Sequence, residues 1–196
     1  MRARDESKEI AIRRKAIELI VREGLDGFSM GKLARAAAVS PATLYIYYKD
    51  REDLILRISV ELTTGLLNDS LIGFDPEMDF EEGLRIQWKN RAAHFIKHPI
   101  ETQFIEQIKY TPLHDKVTKI IGNKFKDTMN RFVQNAIKRK QLVSLPFEVY
   151  FSVAFAPLYQ LIKFHTQGRS HVNERFVLND KMMMQTLQLV IKALKP

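Results

Sequence analysis

The stretch Phe28-Ser29-Met30-Gly31-Lys32-Leu33-Ala34-Arg35-Ala36-Ala37-Ala38-Val39-Ser40-Pro41-Ala42-Thr43-Leu44-Tyr45-Ile46-Tyr47-Tyr48 reads as two short helices joined by a tight turn. Ser29 stands where a cap is needed for the first, whose apolar residues Met30, Leu33, Ala34 and Ala37 recur at helical spacing. The chain turns at Ala38-Val39 and Ser40 caps the second helix. Pro41 suits the first position inside it, because a missing N–H costs nothing there and the fixed φ is already helical. Two helices so punctuated form a helix-turn-helix, which predicts that the second lies in the major groove of DNA.

Outward from this stretch the chain continues in helices. Upstream, Ile10, Ile17, Ile20 and Val21 form the apolar stripe of a helix predicted over 7–23, ended by Gly24. Downstream, Asp50 caps a helix in which Leu54, Ile55, Ile58, Leu62 and Leu66 keep one face apolar. Gly73-Phe74-Asp75-Pro76 is the clearest break, and Pro99, Pro112, Pro146 and the interval 168–179 punctuate five further helices, predicted at 79–97, 100–110, 114–140, 147–167 and 179–194. No sustained alternation and no hairpin dipeptide occurs, so the predicted fold is all-α with about nine helices.

Composition narrows the class. A length of 196 residues with 45% hydrophobic content and 28% charge describes a folded chain of one or two domains. The absence of cysteine excludes disulfides, thiolate metal sites and thiol redox sensing. No apolar run is long enough to span a bilayer, and Met1-Arg2-Ala3-Arg4-Asp5-Glu6 has no apolar signal core, so a cytoplasmic protein is expected. The formal charge of +8 favours a polyanionic partner, although residues 1–58 hold twelve Lys or Arg against nine Asp or Glu. Placement says more: Lys32, Arg35 and Lys49 lie in 29–49, which contains no acid. No nucleophile elbow, phosphate loop, dinucleotide fingerprint or zinc-protease signature is present, so neither catalysis nor a cofactor is expected. His94 and His98, four apart, have a chelating spacing with Glu101 and His114 near in sequence, but the rest of a metal signature is missing and no metal site is assigned.

The segment from about Ile10 to Leu62 resembles the DNA-binding domain of the TetR (tetracycline-repressor-like) family of bacterial transcription regulators. The resemblance is carried by Leu33-Ala34, Ala37-Ala38-Val39-Ser40, Ala42-Thr43-Leu44-Tyr45, Tyr47-Tyr48, Asp50-Arg51-Glu52 and Leu54, in register. Ala38 departs from the usual glycine of the turn, at a cost of roughly 1 kcal/mol if that residue needs a positive φ. Gly31 replaces a polar reader found in some members, so no base contact is expected there.

The resemblance implies a sequence-specific transcriptional regulator, a repressor released by a small hydrophobic effector. It also implies a division into a DNA-binding domain at 1–50, a connecting helix at 51–74 and an effector-binding and dimerisation domain at 75–196. Thr43 and Tyr47 would offer hydroxyls to phosphates, Lys49 and Arg51 would add charge, Ser29 and Ser40 would sit at the helix starts, and Tyr45 would reach bases. Pro41, Ala42 and Tyr45, with Ile46 beside them, then face the groove, and none can make the bidentate pairing that discriminates bases most strongly. Specificity is expected from thymine methyls, from DNA deformability, and from Arg2 and Arg4 on an arm in an A·T-rich minor groove.

One module makes too few contacts for tight binding, so a homodimer on a pseudo-palindromic double-stranded operator is expected. The resemblance places the interface on the last two helices, at Phe151, Phe155, Leu158, Ile162, Leu187, Val190 and Ile191. It suggests an effector pocket among Trp88, Phe95, Phe104, Tyr110, Phe125, Met129, Phe132, Phe155 and Tyr159, residues whose spacing suits core packing equally well. A helix-turn-helix protein with no effector, controlled by its abundance or by a protein partner, stays open as the alternative.

Overall fold

The computed structural model describes residues 6–196, and every regular element among them is a helix. In chain order these are α1 (Glu6–Gly27), α2 (Met30–Ala36), α3 (Pro41–Tyr47), α4 (Arg51–Ser70), α5 (Phe80–Lys97), α6 (Pro99–Ile108), α7 (Leu113–Ile121), α8 (Lys124–Lys138), α9 (Phe147–Ala154), α10 (Ala156–Gln167) and α11 (Asp180–Leu194). Eleven helices replace the expected nine because two long stretches are broken. Gly122, at φ 74°, ends α7 where a single helix over 114–140 was predicted. Pro157 sits in the first turn of α10, where its missing N–H ends the ladder of α9 and divides the stretch 147–167.

The chain gathers into two compact units, one holding the residues up to Gly65 with Pro99–Gly122, the other Leu66–His98 with Asn123–Pro196. The boundary therefore falls inside α4. It also returns α6 and α7 to the unit that carries the helix-turn-helix, although they lie beyond residue 75. Phe104 and Ile108, four apart on α6, supply the reason: they form an apolar strip that joins the core of α1.

In the first unit, that core consists of Ile12, Ala16, Leu19 and Ile20 on α1, Leu33 and Ala34 on α2, Leu44, Tyr47 and Tyr48 around α3, and Leu54, Ile55 and Ile58 on α4. The stripe of α1 keeps the predicted Ile17, Ile20 and Val21 but takes Ile12 in place of Ile10, which is exposed. Gly24, at φ 74°, interrupts the helix near its end, as its position in the sequence suggested.

The second unit packs α5, α8, α9, α10 and α11 around Trp88, Phe132, Phe155, Leu158 and Leu187. Asp79 caps α5, accepting the Glu81 amide at 2.9 Å, and the Trp88 indole donates to the Ala154 carbonyl at 2.8 Å, at the α9 break. This core corrects the expected interface: Phe155, Leu158, Ile162, Leu187, Val190 and Ile191 are buried within a single chain, and only Phe151 of that set is exposed. Spacings of three and four residues put them on the inward faces of their helices. The outward faces of α9 and α11 instead carry Phe147, Val149, Phe151, Met182 and Leu189. No helix among the described residues is long and apolar enough to cross a membrane.

Candidate nucleic-acid interface

Local chemistry builds the motif from both ends. Ser29 adopts an extended backbone and accepts the Lys32 amide at 3.3 Å, opening α2. Ser40 does the same for α3, accepting the Thr43 amide at 3.1 Å while its hydroxyl lies 2.8 Å from that of Thr43. Between them, the Val39 amide donates to the Ala34 carbonyl and the Ala38 amide to that of Arg35, at 3.0 and 3.2 Å. This pair of bonds is a Schellman closure, which requires its C′ residue to be left-handed. Ala38 fills that role at φ 53°, so the turn forms at the expense of a Cβ in a region that favours glycine.

On α3, Leu44 and Tyr47 point into the core, and Tyr48 follows them as the C-cap. The opposite face is left to solvent: Pro41 and Ala42 are exposed, and Tyr45 and Ile46 are 56% and 52% exposed. Two apolar side chains more than half open on a seven-residue helix form a surface suited to methyl and base-edge contact. Thr43 is half-buried beside them, and the side chains of Arg35 and Lys49 are exposed.

Two of the expected phosphate contacts, Tyr47 and Arg51, are engaged within the chain. Tyr47 is buried, three residues along the inward face from Leu44, and Tyr48 is buried with its phenol pushed up in pKa by desolvation. Arg51 turns back on the first unit. Its Nε donates to the Phe28 carbonyl at 3.3 Å, its Nη2 donates to the Leu25 carbonyl, and its guanidinium lies 5.8 Å from the Phe28 ring. Lys32 is neutralised by Glu23 at 2.8 Å and donates to the Gly27 carbonyl at 2.7 Å, so the motif face is less basic than its own sequence suggested. Hydrogen bonds from Arg22 and Lys32 hold the Glu23 carboxyl at about 2, well below its ordinary value. Arg2 and Arg4 lie outside the described residues.

The start of α4 fixes the far side of α3. Asp50 accepts the Asp53 amide at 2.8 Å, and Asp53 accepts the Lys49 amide at 3.0 Å and pairs with Arg57 at 2.9 Å. Burial raises the Asp53 carboxyl, but the Lys49 amide and the Arg57 guanidinium together outweigh it and keep the group ionised. Arg57 also donates to the Tyr47 carbonyl at 3.4 Å, tying the end of α3 to α4.

The residues named for an effector are divided between the two units. Phe104 belongs to the core of the first unit, and Tyr110 is 88% exposed at the end of α6. In the second unit Trp88, Phe95, Phe132 and Phe155 are packed core, while Phe125, Met129 and Tyr159 are half-buried. His94 finds a partner that sequence proximity did not suggest. Its Nδ1 lies 2.7 Å from Asp69 Oδ2, and Asp69, His94 and His98 each bring a ligating atom within 4.8 Å of the others. Glu101 and His114 lie in the first unit.

Capped helices, a closed turn and an outward apolar strip on the second helix define a helix-turn-helix DNA-binding protein. Residues 12–58 match the family described as "Bacterial regulatory proteins, tetR family". A helix-turn-helix-type transcriptional regulator of Haemophilus influenzae is 30% identical over 105 residues, covering 54% of this chain and 56% of that one, so the match spans about half the length of the curated relative. The crystal structure of a TetR-family transcription regulator from Marinobacter aquaeolei superposes over 100% of this chain and 99% of that one, with a TM-score of 0.82 and 26% identity. A second TetR-family regulator structure, from Haemophilus influenzae, has a TM-score of 0.77 and 22% identity over 97% of both chains. Residues 12–58 are thus matched to the tetR family of bacterial regulatory proteins, and the chain as a whole has the fold of TetR-family transcription regulators.

Proposed function

We propose that this chain is a dimeric, cytoplasmic repressor that leaves a pseudo-palindromic operator when a small hydrophobic molecule binds its C-terminal part. The observation that carries the reading is the strip of Pro41, Ala42, Tyr45 and Ile46, turned to solvent on a helix held by two caps and a Schellman turn. In this reading residues 1–50 read DNA, 51–74 connect, and 75–196 bind the effector and dimerise. Tyr45, Pro41 and Ala42 meet bases, while Thr43, Ser29, Ser40, Lys49 and the newly exposed candidate Arg35 meet phosphates. Phe147, Phe151, Met182 and Leu189 meet their symmetry mates in a second copy, since exposed apolar patches of this kind mark interaction surfaces. The effector lies against Phe125, Met129 and Tyr159, and it acts by binding the operator-incompetent arrangement of the dimer more tightly than the competent one.

Titration of DNA from upstream of the chain's own gene against scrambled DNA of equal length tests the reading at several salt concentrations. Operator binding should exceed non-specific binding by about a thousand-fold or more, with a steep salt dependence for both. A ratio near one would leave only attraction to a polyanion. A compound that raises the melting temperature and lowers operator affinity identifies an effector, and failure of every compound class to do both would favour control by abundance or a protein partner.

A further inference from the structure

The apolar face of α5 runs through Leu84, Trp88, Ala92 and Phe95, and an arginine stands in the middle of it. Arg91 is 5% exposed. Its Nη1 donates to the Tyr159 hydroxyl at 3.2 Å and its Nη2 to the Gln87 Oε1 at 3.0 Å, while its Nε–H is buried without a partner. Gln87, itself fully buried, is a positioning residue: its amide nitrogen donates to the Ser70 carbonyl at 3.0 Å, which turns its oxygen toward the guanidinium. No carboxylate among the described residues pairs with Arg91; its charge faces aromatic rings instead, Phe155 at 4.8 Å and Phe125 at 5.7 Å from the guanidinium carbon.

A second unsatisfied group accompanies it. The hydroxyl of Tyr150, on α9, is buried and has no hydrogen-bond partner. The Tyr150 ring meets that of Phe155 edge-on at 6.3 Å, and the Arg91 guanidinium carbon lies 4.8 Å from the same Phe155 ring, so both groups border one aromatic side chain. Tyr159 accepts from Arg91 and keeps its own proton to donate. An arginine cannot relieve its burial by losing a proton, and a buried cation is ordinarily paired. The cluster thus holds a fixed positive charge, two orphaned donors and an aromatic wall whose Phe125 and Tyr159 are only half-buried.

We propose that Arg91 and Tyr150, with Tyr159 beside them, bind the carboxylate of an amphipathic monocarboxylic acid whose apolar body lies against Phe125 and Phe155. A carboxylate has the two acceptor oxygens needed to take the Arg91 Nε–H and the Tyr150 O–H together, and charge-assisted bonds of this kind are the strong ones. The inference rests on the effector-responsive part of the function proposed above, and it names the class of effector.

Calorimetric titration of the full chain without DNA tests it, with phenylacetate and octanoate as probes and phenylacetamide and 1-octanol as their uncharged counterparts. The carboxylates should bind saturably and raise the melting temperature, and each counterpart should bind at least about tenfold more weakly. Arg91→Met should abolish carboxylate binding while keeping or raising the melting temperature of the free protein, because it removes an unpaired buried charge. Where that variant fails to fold, Tyr150→Phe keeps the ring and should weaken the carboxylates about tenfold while leaving the counterparts unchanged. Equal affinity for acid and counterpart, carboxylate affinity unchanged in either folded variant, or no saturable binding of either acid would overturn the proposal. Operator affinity, measured separately, distinguishes the two readings. Carboxylate binding with no effect on the operator upholds the site and counts against effector-controlled release, whereas release by a neutral compound alone overturns the site and leaves the repressor reading standing.

Discussion

Ala38 shows how much one residue can tell. In its left-handed conformation it closes the turn between α2 and α3, where glycine would carry no steric cost. Ala38→Gly should therefore stabilise the chain by about 0.5–1 kcal/mol in urea unfolding, with the α3 surface unchanged. Tyr45 and Tyr47 make the complementary test two positions apart. Tyr45→Ala should cut operator affinity by about tenfold or more with little change in melting temperature, as expected for a residue 56% exposed. Tyr47→Ala should cost about 3 kcal/mol of stability, because Tyr47 is part of the core. Glu23 contributes one part of the pH dependence. Its folded pKa of about 2 lies below its ordinary 4.5, so its pairing with Arg22 and Lys32 contributes fully above pH 4.5 and fades as pH falls toward 2. Glu23→Gln should flatten this part of the acid limb in unfolding curves recorded across that window.

At the scale of elements, three helix starts were legible because caps are local: Ser29, Ser40 and Asp50 each accept an amide three residues ahead. Breaks inside long apolar stretches were harder to read. Pro157 and Gly122 were both visible in the sequence, but apolar spacing runs through them and suggests one helix where there are two. Gly83 on α5 makes a different demand, set by packing alone. A Cβ there would lie 2.5 Å from the ring of Phe132, which is fully buried on α8 and has no room to withdraw. Gly83→Ala should cost about 1–3 kcal/mol by thermal unfolding, and a Phe132→Leu partner substitution should recover part of the loss.

For the molecule as a whole, the question is assembly. All but Phe151 of the apolar residues that first suggested an interface turned inward, and those left on the outside of α9 and α11 are fewer, with Phe147 and Leu189 each 66% exposed. If they meet their mates in a second copy, the double substitution Phe151→Glu and Leu189→Glu should give a folded monomer in sedimentation. Operator affinity should fall steeply with it, since two half-sites are then no longer bound as one. A dimer that persists in this variant would place the interface on another surface.

By itself the sequence determined the helical class, the position of the turn, the caps that open α2, α3 and α4, and the family that the N-terminal segment matches. Each of these depends on groups a few residues apart, so they can be read along the chain. Tertiary structure decided which face of each helix is spent on the core. It buried Tyr47 and all but Phe151 of the expected interface, turned Arg51 and Lys32 toward intramolecular partners, and joined α6 to α1. It also set Arg91 among aromatic rings contributed by helices distant in sequence. Those outcomes depend on neighbours brought together only by folding, where burial, pairing and close packing determine what each side chain can still do.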